Sequence, residues 1–204
     1  AVISALASTI DLAPTLLDLA GVPVPETVQG VSLVPVLNHP DQTVRDFAFA
    51  ERNWHGQRYH ERMLRHGNFV YIRNQLPQHT GFNIIHYGKL FQSAYLELVE
   101  HQKRGQLNMA QCRVLQKPRH PEELYDVSTD PHQLHNLALE PEHKETLQFM
   151  RRFLDQWAEE TGDTVPPVEE MTPDRNDRET WEPVWNSGRP SGGVVPGQRT
   201  QAWT

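Results

Sequence analysis

The feature of this sequence that most limits its fold is an amphipathic pattern between Pro141 and Gly162. Large apolar side chains recur there three or four residues apart, at Leu147, Met150, Leu154 and Trp157. This spacing places them on one face of a helix, and a glycine such as Gly162 commonly follows the last helical residue. The pattern therefore predicts a long helix whose apolar face packs against another layer of structure.

Segments with strand character lie upstream of that helix. Residues 46–51 alternate as a strand does, and residues 63–64 and 69–72 are two further strand candidates joined by the turn-forming sequence His-Gly-Asn at 66–68. Residues 122–126 form another short candidate. Together these segments predict an α+β fold from residue 46 to residue 162, in which an antiparallel sheet has helices packed on one face.

The ends of the chain differ from this central unit. Residues 11–20 predict a helix with Asp11 as its N-cap, and a loop rich in proline and glycine follows. Its apolar face, with Leu12 and Leu16, needs a partner surface. A further helix is predicted at 89–103. Residues 163–204 are rich in proline and show no periodicity, which predicts an extended tail whose tryptophans lie against a folded surface.

Charge and composition argue against several classes of partner. The chain has 19 Lys and Arg residues against 26 Asp and Glu, a formal net charge of −7, and no run of basic residues. Nucleic acid and anionic membrane surfaces are therefore not expected to bind it. No apolar run approaches the ~20 residues that a membrane span needs.

Cysteine and histidine do not form a metal-binding pattern. Cys112 is the only cysteine, which excludes an internal disulfide and a zinc site built on cysteines. Its surroundings predict a strand entering a turn. The histidine pairs are His55 with His60 and His132 with His135, and neither pair has a third ligand at a suitable spacing. No metal site is therefore predicted in this chain.

Two groups of motifs occur in a characteristic order. The first group is STIDLAPTLLDLAG at 8–21 with QGVSL at 29–33, and the second is ELYD at 123–126, DP at 130–131 and NLA at 136–138. In this order they resemble the C-terminal portion of the sulfatase family, within the alkaline-phosphatase superfamily. The resemblance covers residues 4–160. Gln133 departs from it, because the family usually has Glu there.

The middle of the chain resembles the heparan N-sulfatase (sulfamidase) branch of that family. The similarity lies in residues 50–65, an acidic, His-bearing segment before a strand, and in the placement of the insertion at 76–117. The resemblance implies three parts. Residues 1–45 would end the large α/β sulfatase domain, residues 46–162 would form the small C-terminal α+β subdomain, and residues 163–204 would be a Pro-rich extended tail.

The resemblance also implies where the chemistry of the intact enzyme resides. Sulfatases use a formylglycine, made from Cys or Ser in a C/S-x-P-S-R motif, beside a calcium ion bound by Asp and Asn side chains. This chain has no such motif, and Cys112 does not match it. The catalytic residues and the calcium ligands are therefore expected upstream, in the rest of the sulfatase chain, and this chain alone is predicted to be inactive.

Candidate substrate-binding residues follow the first predicted strand. Glu51, Asn53 and His55 lie where a loop could face the active-site mouth, and Arg62 matches an arginine of the sulfamidase branch. A carboxylate can bind sugar hydroxyls or an amine, whereas an arginine can bind an anionic group. The resemblance implies that these residues contact a sulfated sugar. The alternative is that they are solvated loop charges or form a local ion pair.

Two other functions fit the same motifs. A phosphonate- or phosphate-ester hydrolase of the same superfamily would have a similar C-terminal region, with Thr or Ser as its upstream nucleophile. A non-catalytic module that binds glycans or a partner chain is the third interpretation.

Overall fold

The computed structural model describes residues 3–53, 59–78, 88–167 and 171, with the backbone alone for residues 88–95. Five α-helices and four β-strands lie within these residues. In chain order they are α1 (Leu12–Leu19), α2 (Val34–Asn38), β1 (Phe47–Arg52), β2 (Glu61–His66), β3 (Phe69–Asn74), α3 (Gly88–Lys103), α4 (Met109–Val114), β4 (Glu122–Asp126) and α5 (Lys144–Thr161).

The four strands form one antiparallel sheet in the order β1-β2-β3-β4. A tight turn joins β2 to β3, and Gly67 in this turn has φ 53°, a conformation that glycine adopts at little cost. Strand β4 pairs with the other edge of β3 and places Leu124 opposite Tyr71. The α+β prediction with its antiparallel sheet is confirmed, as is the hairpin turn at 66–68.

Helix α5 covers one face of the sheet and completes the core. Its buried side chains are Leu147, Met150, Leu154 and Trp157, and the buried sheet residues Phe47, Leu64, Tyr71 and Leu124 belong to the same cluster. Alternate residues of a strand share a face, so each strand contributes to this apolar layer. The helix ends at Gly162, which has φ 67°, as the sequence predicts.

Polar side chains fix the turn between β4 and α5. Asn136 accepts a hydrogen bond from the backbone N–H of Leu124 at 2.9 Å through Oδ1, and its Nδ2 donates to the carbonyl of Glu122 at 3.0 Å. Asp130 accepts a hydrogen bond from the backbone N–H of His135 at 2.8 Å. The second motif group therefore has a structural role in tying the turn to the sheet edge.

Asp11 organises the N-terminal segment. Its carboxylate is fully buried, accepts a hydrogen bond from the backbone N–H of Val31 at 2.9 Å and forms an ion pair with Arg45. Asp11 is the N-cap residue of α1, as predicted, but its side chain makes no capping hydrogen bond to the helix. The carboxylate instead binds Val31, Arg45 and the backbone N–H of Ser8, which donates to Oδ2 at 2.7 Å. Gly30 is required beside it, since a Cβ there would lie 2.0 Å from the carbonyl oxygen of Ile10.

The apolar face of α1 is not covered by the described residues. The exposed fractions are 57% for Leu12, 67% for Leu16 and 63% for Leu19, and Leu37 in α2 is 54% exposed. An apolar surface of this kind marks a contact site in many proteins.

The structure corrects three further local predictions. Cys112 lies within α4 and not in a strand, because Asn108 caps this short helix by accepting the N–H of Gln111 at 2.9 Å. The side chain of Arg113 in α4 contacts Tyr125 and Glu123 on the sheet face opposite α5, so helices are not confined to one face. The predicted loop after α1 also contains α2.

Two further features concern membrane-spanning helices and the predicted C-terminal tail. No helix in the described ranges is long and apolar enough to cross a membrane. Residues 163–167 and 171 have no regular secondary structure, and the rest of the predicted tail lies outside the described residues.

Candidate functional site

A row of charged residues crosses the sheet on the face that α5 covers. The row consists of Glu51, Arg62, Arg73 and Glu122, one from each strand and each opposite the next. Two arginines are direct neighbours in this row, which is unfavourable because like charges repel each other. Carboxylates from the α5 region offset this repulsion, since Asp155 binds Arg73 at 2.6 Å and Asp163 binds Arg62 at 2.6 Å.

The guanidinium of Arg62 is buried and fully engaged. Its side chain is only 3% exposed. Nε and Nη2 donate to the two carboxylate oxygens of Asp163 at 2.7 and 2.6 Å, and Nη1 donates to the carbonyl of Glu61 at 2.8 Å. Such a two-pronged contact is the strongest form of arginine–carboxylate pair. Arg62 therefore fastens the residue after Gly162 to strand β2.

His60 lies against this pair with its ring almost completely buried. Its Nε2 is 2.9 Å from Nη2 of Arg62 and 3.1 Å from the carbonyl oxygen of Thr164. Arginine only donates and a carbonyl only accepts, so one Nε2 atom cannot satisfy both. Nδ1 is buried and has no hydrogen-bond partner among the described residues. Burial lowers the pKa of His60, and the positive charge of Arg62 lowers it further.

The lowered pKa of His60 predicts a loss of stability in acid. The unfolded state takes up a proton as the pH falls through about 6.5, whereas the folded state resists it, so the free energy of unfolding decreases as the pH falls below that value. We expect the decrease between pH 7.5 and 5.5, measured by urea unfolding, to be smaller in His60→Gln. His132→Gln, which removes an exposed histidine, is the matched control. Equal pH dependence in His60→Gln and the parent would contradict the expectation.

Glu51 and Asn53 form the more accessible side of the same site. The Glu51 side chain is 27% exposed and lies 3.7 Å from Nη2 of Arg62. Burial is the main effect that raises the pKa of Glu51, and it is opposed first by the positive charge of Arg62 and then by a hydrogen bond with Asn53. Oδ1 of Asn53 is buried without a hydrogen-bond partner among the described residues. The structure therefore brings together Glu51, Asn53 and Arg62, while His55 lies outside the described residues.

Sequence reasoning missed two members of this site. The predicted tail begins at Asp163, and the sequence pattern relates His60 to His55 and to the His-bearing segment at 50–65, but not to Arg62. One signal was available, because Arg62 is two residues from Leu64 and so shares its inward face. An inward arginine needs a carboxylate partner. The identity of that partner depends on where α5 ends relative to β2, which the sequence does not state.

A second cleft, of about 410 Å³, lies on the opposite face of the sheet. Arg113 and Arg119 line it and both contact the buried carboxylate of Glu123. Tyr125 also donates to that carboxylate, and burial raises the pKa of its hydroxyl. The arginines are already matched to a protein carboxylate, which indicates a structural cluster.

Within the described ranges, no group of three or more His, Cys, Asp or Glu residues is arranged to hold a metal ion. His135, a member of one histidine pair, is 70% exposed and contacts Glu140 at 2.6 Å.

The sequence is similar to known proteins along most of the chain. A family model described as "N-sulphoglucosamine sulphohydrolase, C-terminal" matches residues 1–74. An ulvan-active sulfatase from Formosa agariphila is 32% identical over 158 residues, which are 78% of this chain and 26% of that protein. The chain belongs to the sulfatase family and corresponds to the C-terminal portion of its members.

Two further proteins are similar to this chain. An N-acetylglucosamine-6-O-sulfatase from Bacteroides thetaiotaomicron is 27% identical over 181 residues, 88% of this chain and 26% of that protein. A structure solved in complex with its substrate D-glucosamine-2-N,6-O-disulfate is 20% identical, with a TM-score of 0.47, and the match covers 82% of this chain and 25% of that one. The chain thus spans about a quarter of the length of these sulfatase relatives.

Proposed function

We propose that the protein to which this chain belongs hydrolyses sulfate esters or sulfamates on a sulfated sugar. The observation that carries the proposal is the 32% identity to an ulvan-active sulfatase across 78% of this chain. The match to an N-sulphoglucosamine sulphohydrolase model supports the sulfamidase branch, and the N-acetylglucosamine-6-O-sulfatase relative supports an O-sulfate. The proposal therefore includes both linkages.

The role proposed for this chain is to shape the substrate pocket. Glu51, Asn53, His55 and Arg62 are the residues proposed to contribute to substrate contact. The grouping of Glu51, Asn53 and Arg62 at the ends of β1 and β2 supports this role, as does the partial exposure of the Glu51 carboxylate. A site with both buried and exposed polar groups can fix the orientation of a sugar.

The rest of the sulfatase is the proposed partner of residues 1–45. The exposed leucines of α1 support this assignment, because they form an apolar surface suited to packing against the large α/β domain. That domain would contribute the formylglycine and the calcium ion, which supply the nucleophile and stabilise charge on the sulfate. Within the described residues no group of three or more His, Cys, Asp or Glu is placed to hold a metal ion.

A substrate panel tests the proposed function on the complete protein encoded by the gene. We expect sulfate release from N-sulfoglucosamine or glucosamine-6-O-sulfate, measured by ion chromatography, and much slower hydrolysis of an aryl phosphonate monoester. Faster hydrolysis of the phosphonate would favour the related phosphonate hydrolase. Binding of these sugars without turnover of any compound would favour a non-catalytic glycan-binding module.

A further inference from the structure

The groups left available at the candidate site are hydrogen-bond acceptors. Arg62, the residue expected to bind an anion, has its guanidinium directed at Asp163, Glu61 and His60. Its side chain is 3% exposed, and that of Asp163 is 4% exposed. A sulfate group would have to displace a buried two-pronged carboxylate contact to reach it, so Arg62 is not an open anion site.

The polar atoms of the candidate site that could still bind a ligand belong to Glu51 and Asn53. The Glu51 carboxylate is 27% exposed, and Oδ1 of Asn53 is a buried oxygen without a partner in the described part of the chain. Buried polar atoms are usually hydrogen-bonded, so an unpartnered oxygen beside a partly exposed carboxylate indicates a missing donor. His60, which is 1% exposed and whose Nδ1 also lacks a partner among the described residues, lies behind Arg62 in the same cluster.

The charge of the cluster indicates the nature of that donor. Glu51 and Asp163 carry carboxylates, Arg62 carries the one cation among these three, and the lowered pKa of His60 favours its neutral form. The site is therefore net negative when Glu51 is ionised, which disfavours an anion. A neutral hydroxyl avoids that repulsion and donates a charge-assisted hydrogen bond to a carboxylate.

We infer that this site binds hydroxyl groups of the sugar through the Glu51 carboxylate and Oδ1 of Asn53, and that Asp163 is a positioning residue that holds Arg62 beside Glu51. The inference rests on the proposed function and specifies it, because it assigns this chain to the sugar ring and not to the sulfate group. Glu51 accepts the hydrogen bond from the ligand, and Arg62 keeps that carboxylate in place from the buried side.

The test measures selectivity and binding separately in the complete protein. Glu51→Gln is expected to raise the KM for the sulfated sugar by at least about ten times more than the KM for 4-nitrophenyl sulfate, which has no sugar hydroxyls; a charge-assisted hydrogen bond is large enough for this factor. Calorimetry with N-acetylglucosamine, a neutral sugar, should show weaker binding by about the same factor. Glu142→Gln, which changes an exposed glutamate, should behave as the parent in both measurements.

Asp163 variants test the positioning role. Asp163→Asn should raise the KM for the sugar more than that for the aryl sulfate, and Asp163→Glu should restore part of the difference because it keeps a carboxylate. A purely structural role would lower the melting temperature without changing the ratio of the two KM values. Equal changes in both KM values for Glu51→Gln, or unchanged binding of N-acetylglucosamine, would overturn the inference. Absence of sulfate release by the parent protein would instead contradict the proposed function, and the calorimetry would still decide the inference.

Discussion

Replacement of Arg62 with methionine is expected to lower the free energy of unfolding by ~3–5 kcal/mol, the range for a buried ion pair that loses one partner. The variant would leave the Asp163 carboxylate, 4% exposed, without the guanidinium that binds both of its oxygens. It would also detach the residues after α5 from strand β2. The desolvated carboxylate is the larger cost, because a buried charge without a partner is far less favourable than a lost surface contact.

Urea unfolding of the variants measures this cost. Arg152→Met removes an exposed arginine from α5 and should change the free energy of unfolding by less than ~0.5 kcal/mol. The double variant Arg62→Met with Asp163→Leu should recover much of the lost stability, since apolar residues can replace a whole buried pair. A loss of below ~1 kcal/mol for Arg62→Met would match an exposed ion pair and would contradict the buried cluster.

The periodic elements of the fold are predictable because each pattern is local. The large apolar residues of α5 repeat with the helical period, and all four of the positions named from that pattern are buried. Strand β4 and the hairpin around Gly67 follow in the same way from short runs and turn residues. In these segments the local preference and the tertiary contacts agree.

The elements that were predicted wrongly depend on distant contacts or on a few residues. Helix α4 is six residues long, too short for a periodic signal, and its cap at Asn108 decides its conformation. Asp11 lies at the start of α1, and besides the nearby N–H of Ser8 its carboxylate binds Val31 and Arg45. The contacts with Val31 and Arg45 span 20 and 34 residues. These partners are far away in sequence, so only the folded chain shows them.

Only the part of the candidate site that depends on local pattern was predictable. Glu51 and Asn53 follow a recognisable strand, and the register of β1 with β2 places Arg62 opposite Glu51. The role of Arg62 was not predictable, because its main partner, Asp163, is 101 residues away. The pairing depends on the length of α5 and on its placement across the sheet.

The second large effect concerns activity. The isolated chain of 204 residues is expected to lose all sulfate release that the complete protein shows. By family resemblance the nucleophile arises from a C/S-x-P-S-R motif that this sequence does not contain, and Cys112 lies in α4 in a different sequence context. Residues that only orient a substrate give no turnover without the reacting groups.

The most direct measurement compares sulfate release by the complete protein and by the isolated chain at equal molar concentration. Both are incubated with the same sulfated sugar and with 4-nitrophenyl sulfate, and circular dichroism confirms that the isolated chain is folded. The expected result is turnover by the complete protein and a signal equal to the protein-free blank for the isolated chain. A sulfate-releasing activity above the blank that co-purifies with the isolated chain would contradict this expectation.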